Sequence, residues 1–404
     1  MPELRQNYFT KEWVIIATER AKRPEELVSR RVPKTAPRHV ENCPFCPGNE
    51  NKTPPEVLRI PAEGNGAWQV RVIGNKFAAL SPDIKPTRVI HRSRRSMGGF
   101  GIHDVIVESP NHAHATCLMA DSHVADVLRA YKARYDALSL DRRIAHITIF
   151  KNHGQDAGAS LEHPHSQLIA APVISQQIRE RFQQALSHYD EYGECMFCQS
   201  VQEELGEGKR LVLASDHFVA LQQFASPTPF CTHIYPRRHM ASFGDINPAE
   251  IGDLAWVLRT VLGKLHVGLQ DPDFNYAIRT APAEYAGVKY FHWYLSIIPR
   301  LTRVAGFELG SGMFHQHCLA GSRGRVPAQC EAGEGCRSIE ADFGLWTSDV
   351  RPQTSDRLFS PLYVLGVISV PKEYSFSGPK RRFSAYSRQR RQTIRRLAII
   401  GIER

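Results

Sequence analysis

One order of residues occurs twice in this chain, and it limits the fold more than any other feature. Cys43-Pro44-Phe45-Cys46 is followed by a histidine, a helical stretch, a strand and a strand carrying His163-Pro164-His165. Cys195-Met196-Phe197-Cys198 is followed by a histidine, a helical stretch, a strand and a strand carrying His292-Trp293-Tyr294. A mixed unit repeated in this way predicts an α+β chain of two related halves. In the first half, Asp121 to Leu140 has helical spacing, with Val124, Val127, Leu128, Tyr131, Tyr135 and Leu138 along one stripe. In the second, Pro248 to Gly268 reads as a helix capped by Asn247, with Glu250 three residues on. Ile174 to Tyr189 reads as a further amphipathic helix between them.

The chemistry concentrates in Ser160-Leu161-Glu162-His163-Pro164-His165-Ser166-Gln167. Two histidines two residues apart point the same way on an extended strand. Pro164 lacks a backbone donor and has a fixed φ, which suits a sheet edge or a strand end. The preceding loop runs from Asn152 through Gly154 and Gly158 to Ser160. Its glycines and Ser160 can bring backbone N–H groups close to a phosphate. A neutral imidazole at the end of such a loop is a nucleophile near pH 7, and Gln167 can donate to a phosphoryl oxygen.

Each Cys-x-x-Cys pair offers half of a tetrahedral zinc site. A single zinc ribbon using both pairs is the competing reading, but they lie about 150 residues apart where a ribbon spans roughly 15–20. Two separate sites, each closed by histidines, are expected. A redox role for Cys43 and Cys46, the alternative there, has no thioredoxin-like βαβ pattern around it.

The run Gly-x-x-x-Gly-x-Ser, then His-Pro-His-x-Gln, resembles the histidine-triad superfamily, and within it the galactose-1-phosphate uridylyltransferase branch. The resemblance covers about residues 5 to 313. It implies two tandem histidine-triad-like halves, each a mostly antiparallel sheet with helices packed on it. It makes His165 the nucleophile that takes up a nucleotidyl group, with Gln167 as the transferase signature. It places Arg20 and Arg23, in Arg20-Ala21-Lys22-Arg23-Pro24, at a phosphate across a homodimer interface, and Asn75 and Phe77 near the nucleoside. Asn152, Gly158 and Ser160 fall in the substrate-binding segment. For two structural zinc sites it implies Cys43, Cys46, His112 and His163, with His114 as rival to His112. The second set is Cys195, Cys198, His239 and His292, with His233 as fallback. Tyr294 stands where the first half has His165, so the second half is expected to bind metal without doing chemistry.

The leading functional expectation is transfer of UMP from UDP-glucose to galactose 1-phosphate through a covalent nucleotidyl-histidine. A Lys and a Tyr that contact the hexose phosphate in the galactose enzymes are replaced here in the segment from Gly306 to Ser311. That departure favours adenylyl transfer to inorganic phosphate, as in ADP-glucose phosphorylases. A histidine-triad hydrolase is a further alternative, although its third histidine is Gln167 here. A non-enzymatic zinc-binding module is the last.

Charge and composition narrow the partners. The net charge is +10, yet 15 Lys and Arg against 8 Asp and Glu fall from Phe314 onward, leaving the first 313 residues at +3. A nearly neutral body argues against a nucleic-acid surface. No run of about 18 apolar residues is present, and Met1 to Arg20 has no signal-peptide core, so a cytoplasmic protein is expected. The expected domains are 1–190, a catalytic half; 191–313, a second half; and 314–404, a basic tail without helical or strand periodicity, disordered or out of frame.

Overall fold

The computed structural model describes residues 2–17, 36–62, 64 and 67–316. Arg20, Arg23 and the tail beyond Gln316 lie outside the described residues.

The first-half strands are β1 (Glu3–Gln6), β2 (Trp13–Ile16), β3 (Glu56–Pro61), β4 (Trp68–Gly74), β5 (Arg88–His91), β6 (Arg94–Met97), β7 (Ile102–Val107), β8 (His146–His153) and β9 (His165–Ala171). Those of the second are β10 (Leu211–Ala214), β11 (Phe218–Gln222), β12 (Thr232–Pro236), β13 (Phe274–Arg279) and β14 (Tyr294–Pro299), followed by β15 (Phe314–Gln316). The helices are α1 (Asp121–Ser139), α2 (Gln176–Tyr192), α3 (Met196–Glu207), α4 (Pro248–Gly268) and α5 (Gly306–Ser311).

Ten strands form one antiparallel sheet in the order β10-β11-β12-β14-β13-β8-β9-β7-β4-β3. The two halves meet where β8 pairs with β13, with Phe150 opposite Ala277. Strand alternation divides the side chains between two faces. Val70, Val72, Ile106, Ile147, Ile149, Leu168, Tyr276, Ile278, Leu295 and Ile297 point to the face covered by α1 and α4 and form the main core with them. Each fully buried aliphatic chain there contributes on the order of 1.5–3 kcal/mol. The other face carries His165 and Gln167 in the first half and Tyr294 and Ser296 in the second. In the second half it is covered partly by α2 and α3, whose Ala185, Phe197 and Val201 pack with Val219, Leu221, Tyr235 and Tyr294.

The α1 stripe is buried as its spacing requires. The α4 capping box forms: Asn247 Oδ1 accepts the Glu250 N–H at 3.0 Å, and Glu250 Oε2 accepts the Asn247 N–H at 2.9 Å. Of the two places that suit Pro164, it takes the strand end: it directly precedes β9, which lies inside the sheet between β8 and β7. The second Cys-x-x-Cys opens a helix, α3, ahead of the strands, with Phe197, Val201 and Leu205 repeating at four-residue spacing. Trp13–Ile16 joins a separate three-stranded sheet, where β15 pairs with it in parallel, Phe314 opposite Val14. The first three residues of the segment set apart as a tail are thus part of this sheet.

Candidate functional site

β9 begins at His165, and its pairing with β7 sets Val107 opposite it. The first Cys-x-x-Cys folds over this strand end as a tight turn, with the Cys46 N–H donated to the Cys43 carbonyl at 3.3 Å. Phe45, between the two cysteines, stands edge-on to both His163 and His165, its ring centre 5.9 and 5.5 Å from theirs.

Cys43, Cys46, His112 and His163 converge there, all buried, with their ligand atoms within 4.8 Å of one another. The closest approaches are 3.2 Å between the Nδ1 atoms of His112 and His163, and 3.5–3.6 Å from sulfur to those nitrogens. A tetrahedral ion with bonds of about 2.0–2.3 Å needs donor separations of roughly 3.3–3.8 Å, so the set fits such an ion. His163 Nε2 lies 2.8 Å from the Ser109 carbonyl, which fixes the hydrogen on Nε2 and leaves Nδ1 bare for a metal. His114 turns away, Nε2 to the Leu118 carbonyl at 3.0 Å.

Cys195, Cys198, His239 and His292 form a second group of the same kind. Cys198 Sγ is 3.3 Å from Nδ1 of both histidines, and His239 Nε2 is 3.2 Å from the Val288 carbonyl. Contacts from Cys198, and then from His239 and His292, hold the Cys195 thiol well below its ordinary range. His233 is not in this group; it bonds to the Tyr235 hydroxyl at 2.9 Å and stacks on Tyr294.

His165 is 6% exposed, and its Nδ1 lies 2.8 Å from the His163 carbonyl. That bond puts the hydrogen on Nδ1 and the lone pair on Nε2. Burial lowers the pKa of the ring below the ordinary histidine value, which keeps it neutral at pH 7. Gln167, two residues on, faces the same side, and its Oε1 lies 2.8 Å from His103 Nε2. The Ala79 N–H is donated to His103 Nδ1 at 3.1 Å, so Nε2 carries the hydrogen. Gln167 therefore accepts through its oxygen and has its NH₂ left to offer elsewhere. Asn75 approaches the same His103 nitrogen at 3.0 Å, and its Oδ1 accepts the Phe77 N–H. Phe77 itself is 85% exposed beside them.

The Asn152–Ser160 loop is pinned by the second half. Asn152 Oδ1 accepts from Asn275 Nδ2 at 2.8 Å, Asn275 also donates to the Ala157 carbonyl, and Asp273 accepts the Asp156 N–H at 2.6 Å. Gly154 has φ +84°, and a Cβ there would sit 1.9 Å from the Asp273 carboxylate, so only glycine closes this turn. Gly158 and Ser160 are exposed on the loop.

Behind His165 lies a polar cluster that no local pattern announces. Glu108 is fully buried and pairs with Lys151. Thr116 and Tyr131 donate to it at 3.2 Å, while Tyr131 also reaches Ser166 at 2.7 Å and Tyr276 at 2.6 Å. Lys151 Nζ is 3.5 Å from the His165 carbonyl. Burial pushes the Glu108 carboxyl up, but the charge and hydrogen bond of Lys151 outweigh it and leave it below the ordinary value. Glu108 is also the residue just before the Ser109–His112 turn, so one buried cluster supports both the metal set and the histidine strand.

The sequence and fold can now be set beside known proteins. Residues 1–175 match the family model described as galactose-1-phosphate uridyl transferase, N-terminal domain. ADP-glucose phosphorylase of Arabidopsis thaliana is 36% identical over 318 residues, covering 78% of this chain and 88% of that protein. The chain belongs to the galactose-1-phosphate uridylyltransferase family. Galactose-1-phosphate uridylyltransferase of Thermotoga maritima is 29% identical over 324 residues, covering 78% of this chain and 94% of that protein. The crystal structure of the Arabidopsis thaliana ADP-glucose phosphorylase with bound ADP-glucose superposes with a TM-score of 0.69 at 33% identity, covering 82% of this chain and all of that one. Among the described residues no helix is long and apolar enough to cross a membrane.

Proposed function

We propose that this family member is a nucleotidyltransferase that carries its nucleotidyl group on His165. The observation that carries the reading is the fixed tautomer of a buried neutral imidazole, with Nε2 bare and Gln167 on the same face. A nucleoside diphosphate sugar binds with its α-phosphorus before Nε2. Nε2 attacks, a P–N bond forms, and the P–O bond to the sugar 1-phosphate breaks, its oxygen keeping the electron pair. A phosphate oxygen of the acceptor then attacks the same phosphorus and releases His165. The His163 carbonyl holds the Nδ1 hydrogen while the ring carries positive charge. The Gln167 NH₂, the Ser160 hydroxyl and the loop amides are assigned to stabilising the phosphoryl oxygens. Arg20 and Arg23 are assigned to phosphate binding across a homodimer.

Two zinc ions, one held by Cys43, Cys46, His112 and His163 and one by Cys195, Cys198, His239 and His292, would order these segments without an open coordination position.

The donor and acceptor we assign first are UDP-glucose and galactose 1-phosphate. A second reading, ADP-glucose with inorganic phosphate, is favoured by Gly306 and Ser311 in the hexose-phosphate segment and by the 36% identity to the Arabidopsis thaliana phosphorylase. A panel decides. The protein is incubated with UDP-glucose or ADP-glucose labelled in the α-phosphate, and protein-bound label is measured. Galactose 1-phosphate or phosphate is then added. Acid-labile, base-stable label that His165→Asn abolishes is the expected result, and the nucleotide and acceptor that load and discharge it name the reaction. Labelling that survives His165→Asn would remove the nucleophile assignment.

A further inference from the structure

Where β8, α2 and β13 meet, a cluster of basic side chains without an ion-pair partner among the described residues lies on the same sheet face as His165. Arg279 ends β13 and Arg181 lies on the first turns of α2 above it. They line a small surface cleft with His146, Thr148, Ile178 and Thr280. No carboxylate lines it, and neither arginine has an ion-pair partner among the described residues. Nε and Nη1 of Arg181 are buried without a hydrogen-bond partner, and so is Nδ1 of His146, a residue only 6% exposed. Burial and the adjacent Arg181 charge pull Arg279 below the ordinary arginine value. Buried donors and like charges brought together are costly unless an anion completes them.

The register of the sheet indicates which anion. In the β13–β14 ladder Arg279 stands directly opposite Tyr294. In the β8–β9 ladder Phe150 stands opposite Gln167, and two residues further along Asn152 comes level with His165. Arg279 thus holds in the second half the place that Asn152, at the start of the glycine loop, holds in the first, just as Tyr294 holds that of His165. The nucleophile position has been given to a tyrosine, while the position beside it is cationic and joined by a second arginine from α2.

We propose that Arg181, Arg279 and His146 form a second anion site that takes a tetrahedral phosphate, either free or as the phosphate group of a sugar phosphate or nucleotide. Arg181 and Arg279 donate guanidinium N–H groups to its oxygens, His146 donates from the ring, and Thr148 and Thr280 offer hydroxyls at the rim. The assignment rests on these side chains and stands or falls separately from the chemistry at His165.

Binding of labelled inorganic phosphate to the full-length, metal-loaded protein is measured at constant ionic strength, for wild type, Arg181→Met, Arg279→Met and Ser160→Ala. The expected result is a phosphate equivalent that Ser160→Ala retains and that both arginine variants weaken about tenfold or more, while nucleotidylation of His165 persists in them. Competition by a sugar 1-phosphate or a nucleoside monophosphate at lower concentration than phosphate identifies an esterified ligand; no such advantage identifies the free ion. In phosphate-free buffer Arg181→Met should be at least as stable as wild type, since it removes a like charge and keeps the chain length. Should Arg279→Met not fold, Arg181→Met, on the outer helix, carries the binding test. Phosphate binding unchanged in Arg181→Met overturns the proposal. So does a marked loss of stability of Arg181→Met without phosphate, which would mean that an acidic side chain already neutralises the cluster.

Discussion

The carbonyl oxygen of His163 accepts the Nδ1–H of His165 at 2.8 Å, while the ring of His163 belongs to the Cys₂His₂ group. One residue thus joins the first Cys₂His₂ group to the proposed nucleophile through its own backbone. The imidazole of His165 cannot swing without losing this bond, and the carbonyl cannot move without turning the His163 ring out of the set. In the proposed reaction a metal held there would act on the chemistry by geometry, from the side of the ring opposite Nε2.

Metal content should therefore track activity at one site more than at the other. We expect about two ions per chain by elemental analysis. Cys46→Ser should lose one of them, lower the melting temperature and abolish most His165 labelling. Cys195→Ser should also lose one ion but leave labelling of the protein that remains folded within a few-fold of wild type. Equal loss of labelling in both variants at a temperature where both are folded would contradict the link through His163.

The buried pair of Glu108 and Lys151 makes a second test. Lys151→Met leaves a carboxylate at 0% exposure with no cation, and breaking a buried pair from one side costs about 3–5 kcal/mol. Glu108→Gln combined with Lys151→Met removes both charges and should recover a substantial part of that loss. Urea unfolding of the single and double variants reads it. A double variant as unstable as the sum of the singles would mean the two charges are not coupled.

Gln167 and His103 should separate in kinetics. Gln167→Ala removes the proposed donor to the phosphoryl oxygens and should lower kcat about 100- to 1,000-fold with little change in KM. His103→Ala frees the Gln167 amide to turn and leaves Ala79 N–H and Asn75 without this partner, so a loss of about 10- to 100-fold is expected. In the Gln167→Ala background the His103 change should have little further effect. Additive losses would show that His103 acts by another route.

Much of this site could be read from the sequence because its chemistry is local. The cysteine pairs, the His-Pro-His strand and the glycine loop each place their groups within a few residues, and the Asn247–Glu250 cap is a three-residue pattern. The supports could not be read that way. Tyr131 is visible as a core position on the α1 stripe, but nothing near it shows that its hydroxyl meets Ser166 and Tyr276, 35 and 145 residues away. His103 shares a face with Val105 and Val107 by alternation, yet its partner Gln167 emerges only from the β7–β9 register, in which Val105 faces Gln167. Nothing near Trp13–Ile16 announces Phe314–Gln316, about 300 residues on, as its strand partner.

The acid limb of stability should carry the signature of His146. Burial lowers its pKa from 6.5 to about 4, with the Arg279 charge acting in the same direction, and the ring is only 6% exposed. The folded state therefore resists a proton that the unfolded state accepts. Its pKa being depressed on folding, stability is intact above pH 6.5 and falls as the pH drops from 6.5 toward 4, because the unfolded chain binds the proton first. The full difference corresponds to on the order of 3 kcal/mol. In phosphate-free buffer, urea midpoints at pH 7, 5.5 and 4.5 should decline more steeply for wild type than for His146→Gln, which cannot take the proton. A phosphate held between His146 and the two arginines would favour the charged ring, so added phosphate should flatten the wild-type decline and leave that of His146→Gln almost unchanged. Identical pH slopes for wild type and His146→Gln would show that His146 is not held neutral by its surroundings.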